Sequence, residues 1–202
     1  MRIAGAAFGP ALEEQWGTPT RPVDFYDVKA DVAALVGNDA RFVAARTPTD
    51  ALHPGRSARI ERNGAPIGWI GELHPRLVRR HELPGAPVLF EIEWAALQHI
   101  GLPNIGPVSR FPPVRRDLAV VVDEQVPTQA LVDAMKAVRP PFVDTIRVFD
   151  VYRGPSLGSG KKSVAFLVLM QDTQRTLTDA EIDAAMEQLF NALRDRFKAT
   201  PR

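Results

Sequence analysis

Asp150 and Tyr152 stand two apart in the segment FDVYRG, so in a strand both side chains leave the same face. Ala119 alternates against Leu118, Val120 and Val122, and Ser163 alternates against Val164, Phe166 and Val168. Those apolar sets read as core, with Phe149 and Val151 as the core-facing partners of Asp150 and Tyr152. Ala119, Asp150, Tyr152 and Ser163 can then share one open sheet face. Their chemistry suits a nucleobase: a phenol ring to stack, a carboxylate to accept from ring N–H and amino groups, a hydroxyl to hydrogen-bond, and an alanine to permit close approach. The same four residues also suit a sheet face packed against another protein domain.

Other motifs carry less. GPSLGSGKKS resembles a phosphate-binding loop, but Pro155 occupies the first glycine position and Lys162 replaces the Ser/Thr after Gly160-Lys161. A strand-like run, SVAFLVLM, follows where such a loop needs a helix. A hairpin turn is the better reading. The histidines His53, His74, His81 and His99 show no ligand spacing, and there is no cysteine. No metal site is therefore expected, and disulfides are excluded. No nucleophile elbow or His-Glu-x-x-His helix occurs, so no self-contained active site is expected.

The elements that must position these residues follow from periodicity. In the second half, Asp117–Asp123 reads as a strand and Thr128–Val138 as a helix with Leu131, Met135 and Val138 inward. Thr145–Arg153 and Lys162–Gln171 read as strands. A capping box, Thr178-Asp179-Ala180-Glu181, opens a helix whose stripe is Ile182, Met186, Leu189, Phe190, Leu193 and Phe197. The tail, Lys198–Arg202, can add a short edge strand. This βαββαβ order is ferredoxin-like, with helices on one sheet face and the other free for a partner such as RNA.

The first half is also mixed. Arg2–Phe8 reads as a strand, and Phe25, Val28, Val32, Leu35 and Val36 as a helix face stopped by Gly37. Asn63-Gly64 marks a hairpin between Ser57–Glu61 and Pro66–Glu72. Pro75 opens a short helix to about Glu82, and Val88, Phe90, Ile92 and Trp94 alternate along one strand face. Two prolines and two glycines make Gly101–Ser109 the linker candidate.

The 202 residues are 45% hydrophobic and leave room for two small domains; the formal net charge is +1. Residues 1–107 carry 11 Lys/Arg against 12 Asp/Glu, and residues 108–202 carry 14 against 12. Any RNA binding must therefore use a shaped local site rather than a basic field. The N-terminal apolar run is short and followed closely by Glu13 and Glu14, unlike a secretion signal, and no run reaches a membrane span.

SRFPPVRRDLAVVV, FDVYRG, GKKS and QDTQRTLTDAEI together resemble the C-terminal anticodon-binding domain of bacterial phenylalanyl-tRNA synthetase β subunits. AAFGPALEEQW, DFYDVKADVAALVG, ALHPGRSARI, GWIGELHP and LFEIEW resemble the catalytic-like module that precedes it in those subunits. The resemblance implies an α+β chain: residues 1–104 a catalytically inert class II synthetase-like antiparallel sheet module, residues 105–202 a ferredoxin-fold anticodon-binding domain. It implies a cytoplasmic α2β2 ligase that charges tRNA(Phe) with phenylalanine, with ATP and Mg2+ used on the α subunit and no cofactor in this chain. The partners implied are tRNA(Phe) and the α subunit, with no membrane.

Carried over by motif, the RNA contacts are Ala119 in RRDLA, Asp150 and Tyr152 in FDVYRG, Ser163 in GKKS, and Arg202 in the tail. Arg115, Arg116, Arg153, Lys161 and Lys162 are candidate phosphate contacts by charge and position. Arg59-Ile60-Glu61 superficially matches the Arg-x-Glu of a class II motif, yet its loop is short and no Gly-rich segment ending in an arginine follows; both residues read as structural. The chain is much shorter than such a β subunit. Its N-terminal tRNA-binding region, editing site and middle domain have no counterpart in this sequence, so this chain alone is expected neither to aminoacylate nor to edit. The alternative is a protein-interaction module whose sheet face is buried and has no RNA role.

Overall fold

The computed structural model describes residues 1–37, 40–44, 50–98 and 108–202. Its contacts separate into two compact units, Met1–Pro103 and Asn104–Arg202. The expected linker as far as Pro107, the expected domain boundary and His99 lie outside the described residues.

The first unit contains β1 (Arg2–Ala7), α1 (Phe25–Val36), β2 (Ala40–Ala44), β3 (Leu52–Arg62), β4 (Ala65–Leu73), α2 (Pro75–Arg80), β5 (Val88–Glu93) and α3 (Trp94–Leu97). Its five strands form an antiparallel sheet in the order β1-β5-β4-β3-β2. Asp24 caps α1 by accepting from the Tyr26 and Asp27 N–H groups, and the Asp27 carboxylate accepts from the Asp24 N–H in return. Val28, Val32 and Val36, four residues apart, then lie on one helix face and bury against Ile60, Ile70 and Ile92 of the sheet. Asn63 and Gly64 take positive φ, +51° and +77°, and close a two-residue hairpin between β3 and β4.

Two sequence expectations fail in this unit. Leu35 is 44% exposed, because the helix stripe that meets the sheet runs through Val28, Val32 and Val36. Trp94 does not continue the β5 alternation; the strand ends at Glu93 and Trp94 begins α3.

The second unit contains β6 (Val114–Asp123), α4 (Thr128–Val138), β7 (Val143–Tyr152), a 3-10 turn (Pro155–Leu157), β8 (Lys161–Met170), α5 (Asp179–Phe197) and β9 (Thr200–Pro201). The sheet order is β7-β8-β6-β9, all pairs antiparallel. Leu131 and Met135 of α4 and Ile182, Leu189 and Leu193 of α5 bury against Val120, Val164, Phe166 and Val168 on the inner sheet face. The result is the ferredoxin-like arrangement expected from the sequence, two helices on one face of a four-stranded sheet. The GPSLGSG segment becomes the 3-10 turn and a bend with Gly158 and Gly160 at positive φ, and leads directly into β8.

Lys198 stops α5 in the left-handed region at φ +55°. The chain then turns back and lays β9 along β6, with Thr200 opposite Val121 and Pro201 opposite Val120. Among the described residues, no helix is long and apolar enough to cross a membrane.

Candidate nucleic-acid interface

Residues opposite one another in antiparallel strands point to the same face. One row across the second sheet is Asp150–Ala165–Ala119, and the next is Tyr152–Ser163–Val121. The Arg202 N–H donates to the Ala119 carbonyl at 3.2 Å, which places Arg202 beside Ala119 at the other end of the first row. All five base-contact residues expected from the sequence thus lie on the outer face, opposite α4 and α5.

This placement depends on a bulge. Val148 pairs with Phe166 and Asp150 pairs with Ala165, so β7 takes two steps while β8 takes one. Regular alternation from Arg147, which pairs with Leu167 on the outer face, would send Asp150 and Tyr152 inward. The extra residue is Phe149. It is 53% exposed, not in the core as the alternation alone predicted, while Val148 and Val151 both pack inward.

Tyr152 and Arg202 start from opposite edges of the sheet, about 14 Å apart at the usual strand spacing. Their side chains nevertheless meet: the Arg202 guanidinium carbon lies 4.6 Å from the centroid of the Tyr152 ring, a cation–π contact. Between their strands stand the small residues Ala119, Ser163 and Ala165. Ser163 is only 1% exposed, and its hydroxyl has no hydrogen-bond partner. A buried, unpaired hydroxyl costs free energy and calls for an explanation. The Tyr152 hydroxyl lies 3.5 Å from that of Ser156. Asp150 is exposed and its carboxylate makes no hydrogen bond or ion pair among the described residues.

The five expected phosphate contacts divide. Lys161 is exposed. Arg115 is exposed on the outer face and donates to Asp117. Arg153 donates to Glu124 at 3.0 Å. Arg116 is exposed but pairs with Val168, on the register of the inner face. Lys162 also takes the inner register, opposite Val122 and beside the core. It is 5% exposed, and its ammonium donates to the Glu124 carbonyl at 2.9 Å. Burial pushes its pKa down. Lys162 is therefore withdrawn as a phosphate contact.

Sequence reasoning missed Ala165, Gly154 and Arg147. Ala165 was legible, because it stands two residues from Ser163 on the same face of β8. Gly154 was not: it leaves the space that the Tyr152 ring occupies, and that packing is set by the three-dimensional fold. Arg147 needed the bulge before its side of the strand could be aligned with that of Asp150.

In the first unit, the Arg59 Nε donates to Glu61 at 2.6 Å, so the pair satisfies itself. The pocket touching Arg59, Trp69 and Glu91 encloses about 180 Å³, below the usual range of ligand sites. These residues do not fit ATP. Among the described residues, no group of three or more His, Asp or Glu side chains could hold a metal ion.

Residues 1–94 match the phenylalanyl tRNA synthetase beta chain CLM domain, and residues 109–202 match the ferredoxin-fold anticodon binding domain. The chain belongs to the phenylalanyl-tRNA synthetase beta chain family. It is 49% identical to the phenylalanine–tRNA ligase beta subunit of Dechloromonas aromatica over the whole chain. It is 52% identical to that of Burkholderia pseudomallei over 95% of the chain, and 46% identical to that of Nitrosospira multiformis over all of it. In each case the chain spans about a quarter of the relative's length, 25%. The ferredoxin-fold match falls on the unit that carries the Tyr152–Arg202 face.

Proposed function

We propose that the second unit reads the anticodon of tRNA(Phe) within a phenylalanine–tRNA ligase. The observation that carries the reading is the Tyr152–Arg202 contact on the sheet face where Ser163, cross-strand partner of Tyr152, keeps an unpaired hydroxyl. The phenol ring and the guanidinium, in contact with each other in the free protein, separate so that each stacks on one base. The Asp150 carboxylate accepts from adjacent donors, which guanine presents as its ring N–H and amino group. The Ser163 hydroxyl, buried and unpaired in the free protein, supplies a hydrogen bond once the side chains that cover it part to admit the base. Ala119 and Ala165 leave room for the base to approach the sheet.

In this reading the charging of tRNA with phenylalanine, with ATP and Mg2+, takes place on the α subunit of an α2β2 assembly. The first unit is a scaffold that contacts other parts of it. The self-paired Arg59 and Glu61 support a non-catalytic role for this chain. Trp16 is 100% exposed and Tyr26 is largely so, as befits a surface covered by a partner.

The test is a titration of the chain with tRNA(Phe) and with the same tRNA altered at the first anticodon base. The altered tRNA should bind more weakly. Tyr152→Ala should cost about 1–3 kcal/mol of binding, the usual value of one base–aromatic stack, and leave the fold intact. Equal affinity for both tRNAs would transfer this face to a protein partner.

A further inference from the structure

The site above accounts for Asp150 and Tyr152 on β7 but leaves two neighbours on the same strand unused. Phe149 is the residue displaced by the bulge. Its ring is half exposed, and it is absent from the residues packed on the core. A single exposed phenylalanine is ordinary. This one sits in a break in the ladder next to a free carboxylate, on an edge strand with no further neighbour in the sheet. Bulges re-aim side chains, and here one break turns Asp150 outward and sets Phe149 free.

Arg147 is the second neighbour. It lies on the outer face, exposed, opposite Leu167. Of the ten exposed arginines of this unit, four are held by carboxylates, Arg115 by Asp117, Arg153 by Glu124, Arg175 by Glu181 and Arg194 by Asp195, and Arg116 and Arg139 donate to backbone carbonyls. Arg147 has no ion-pair or hydrogen-bond partner among the described residues. Even Asp150, outward on the same strand, does not pair with it. A free guanidinium and a free ring, two residues apart, follow the strand away from Tyr152 at about 3.3 Å per residue.

We infer that the bulged edge strand carries a second nucleotide contact: the Phe149 ring stacks on the base adjoining the one held by Tyr152, and Arg147 meets the phosphate of that nucleotide. This rests on the anticodon reading above and extends it from one base to two. Stacking tolerates any base, so Phe149 supplies affinity and orientation, while Asp150 supplies selection. Arg147 fixes the strand direction across the sheet edge without reading sequence.

The experiment uses the 202-residue chain and a tRNA(Phe) anticodon stem–loop, intact or with an abasic nucleotide on one or the other side of the first anticodon base. Phe149→Ala should weaken the intact loop about five- to hundredfold, the range for one lost stack. Phe149→Tyr, which keeps the ring, should bind as the parent does, and an unchanged melting temperature of Phe149→Ala excludes a folding defect. On one of the two abasic loops, Phe149→Ala should make no further difference. Arg147→Gln should reduce the slope of log affinity against log salt by about 0.7, one single-strand phosphate. Parent-like affinity in Phe149→Ala, or an equal loss on the intact and both abasic loops, overturns the inference. If Tyr152→Ala still weakens binding in that case, the anticodon reading survives alone; if Tyr152→Ala is also silent, both fall.

Discussion

Tyr152 reaches its position because its neighbour two residues on has no side chain. A Cβ built on Gly154 would lie 2.0 Å from the Tyr152 hydroxyl and 2.2 Å from its ring carbon. The obstacle is the far end of a side chain, so an alanine there would push the ring aside rather than disturb the backbone. Gly154 has φ −146°, which any residue adopts, so the glycine serves space and not conformation. Gly154→Ala should therefore leave the melting temperature nearly unchanged while separating the ring from Arg202 and weakening RNA binding several-fold. A thermal melt and an RNA titration on the same sample check this. Unaltered binding would show that the ring position seen here does not matter for the ligand.

At the scale of elements, α5 fixes the tail that delivers Arg202, and its start is set by charge. The Glu181 carboxylate accepts two hydrogen bonds from the Arg175 guanidinium and others from the Thr178 N–H and hydroxyl. Arg175 first, then Thr178, hold it well below the ordinary glutamate value of 4.5. A carboxyl depressed in the folded state contributes stability above its unfolded pKa, and that contribution is lost as pH falls. Melting curves of the parent and Glu181→Gln should differ at neutral pH and converge as pH drops below about 4.5. A gap that stays constant through acid would sink the assignment. The capping box itself was readable from Thr178 and Glu181, as were α4 and β8, because each has a clear period or a cap. β2 was not: its five residues, Ala40–Ala44, are too short to show alternation and are strand only through pairing with β3. The bulge was also hidden. The sequence reading put Asp150 and Tyr152 on one face and Phe149 and Val151 on the other, and that alternation fails at Phe149, which the chain inserts before Asp150. Burial of Lys162 was invisible for a related reason: its face follows from register with Val122, and its long stem lets the ammonium reach a carbonyl at the rim.

For the molecule as a whole, the charge distribution limits how it can bind. Residues 108–202 carry 14 Lys/Arg against 12 Asp/Glu, and several of those cations are already paired. Few phosphates can be neutralised, so most of the binding free energy must come from bases held on the sheet. The second unit has the core to hold that sheet by itself. Phe166, Val164, Leu131, Met135, Leu189 and Leu193 come from three of its elements, and each is fully buried. At 99 residues, Asn104–Arg202 is of a size that folds alone. Expressed without the first unit, it should melt cooperatively and bind the anticodon stem–loop with the affinity and base preference of the full chain. The arm with full-length tRNA(Phe) separates two roles. If the first unit only supports an assembly, deleting it changes nothing in that arm either. If the isolated unit melts as expected but loses more than tenfold on the stem–loop, residues of the first unit contribute to the binding face, and the local character of the Tyr152–Arg202 site is refuted.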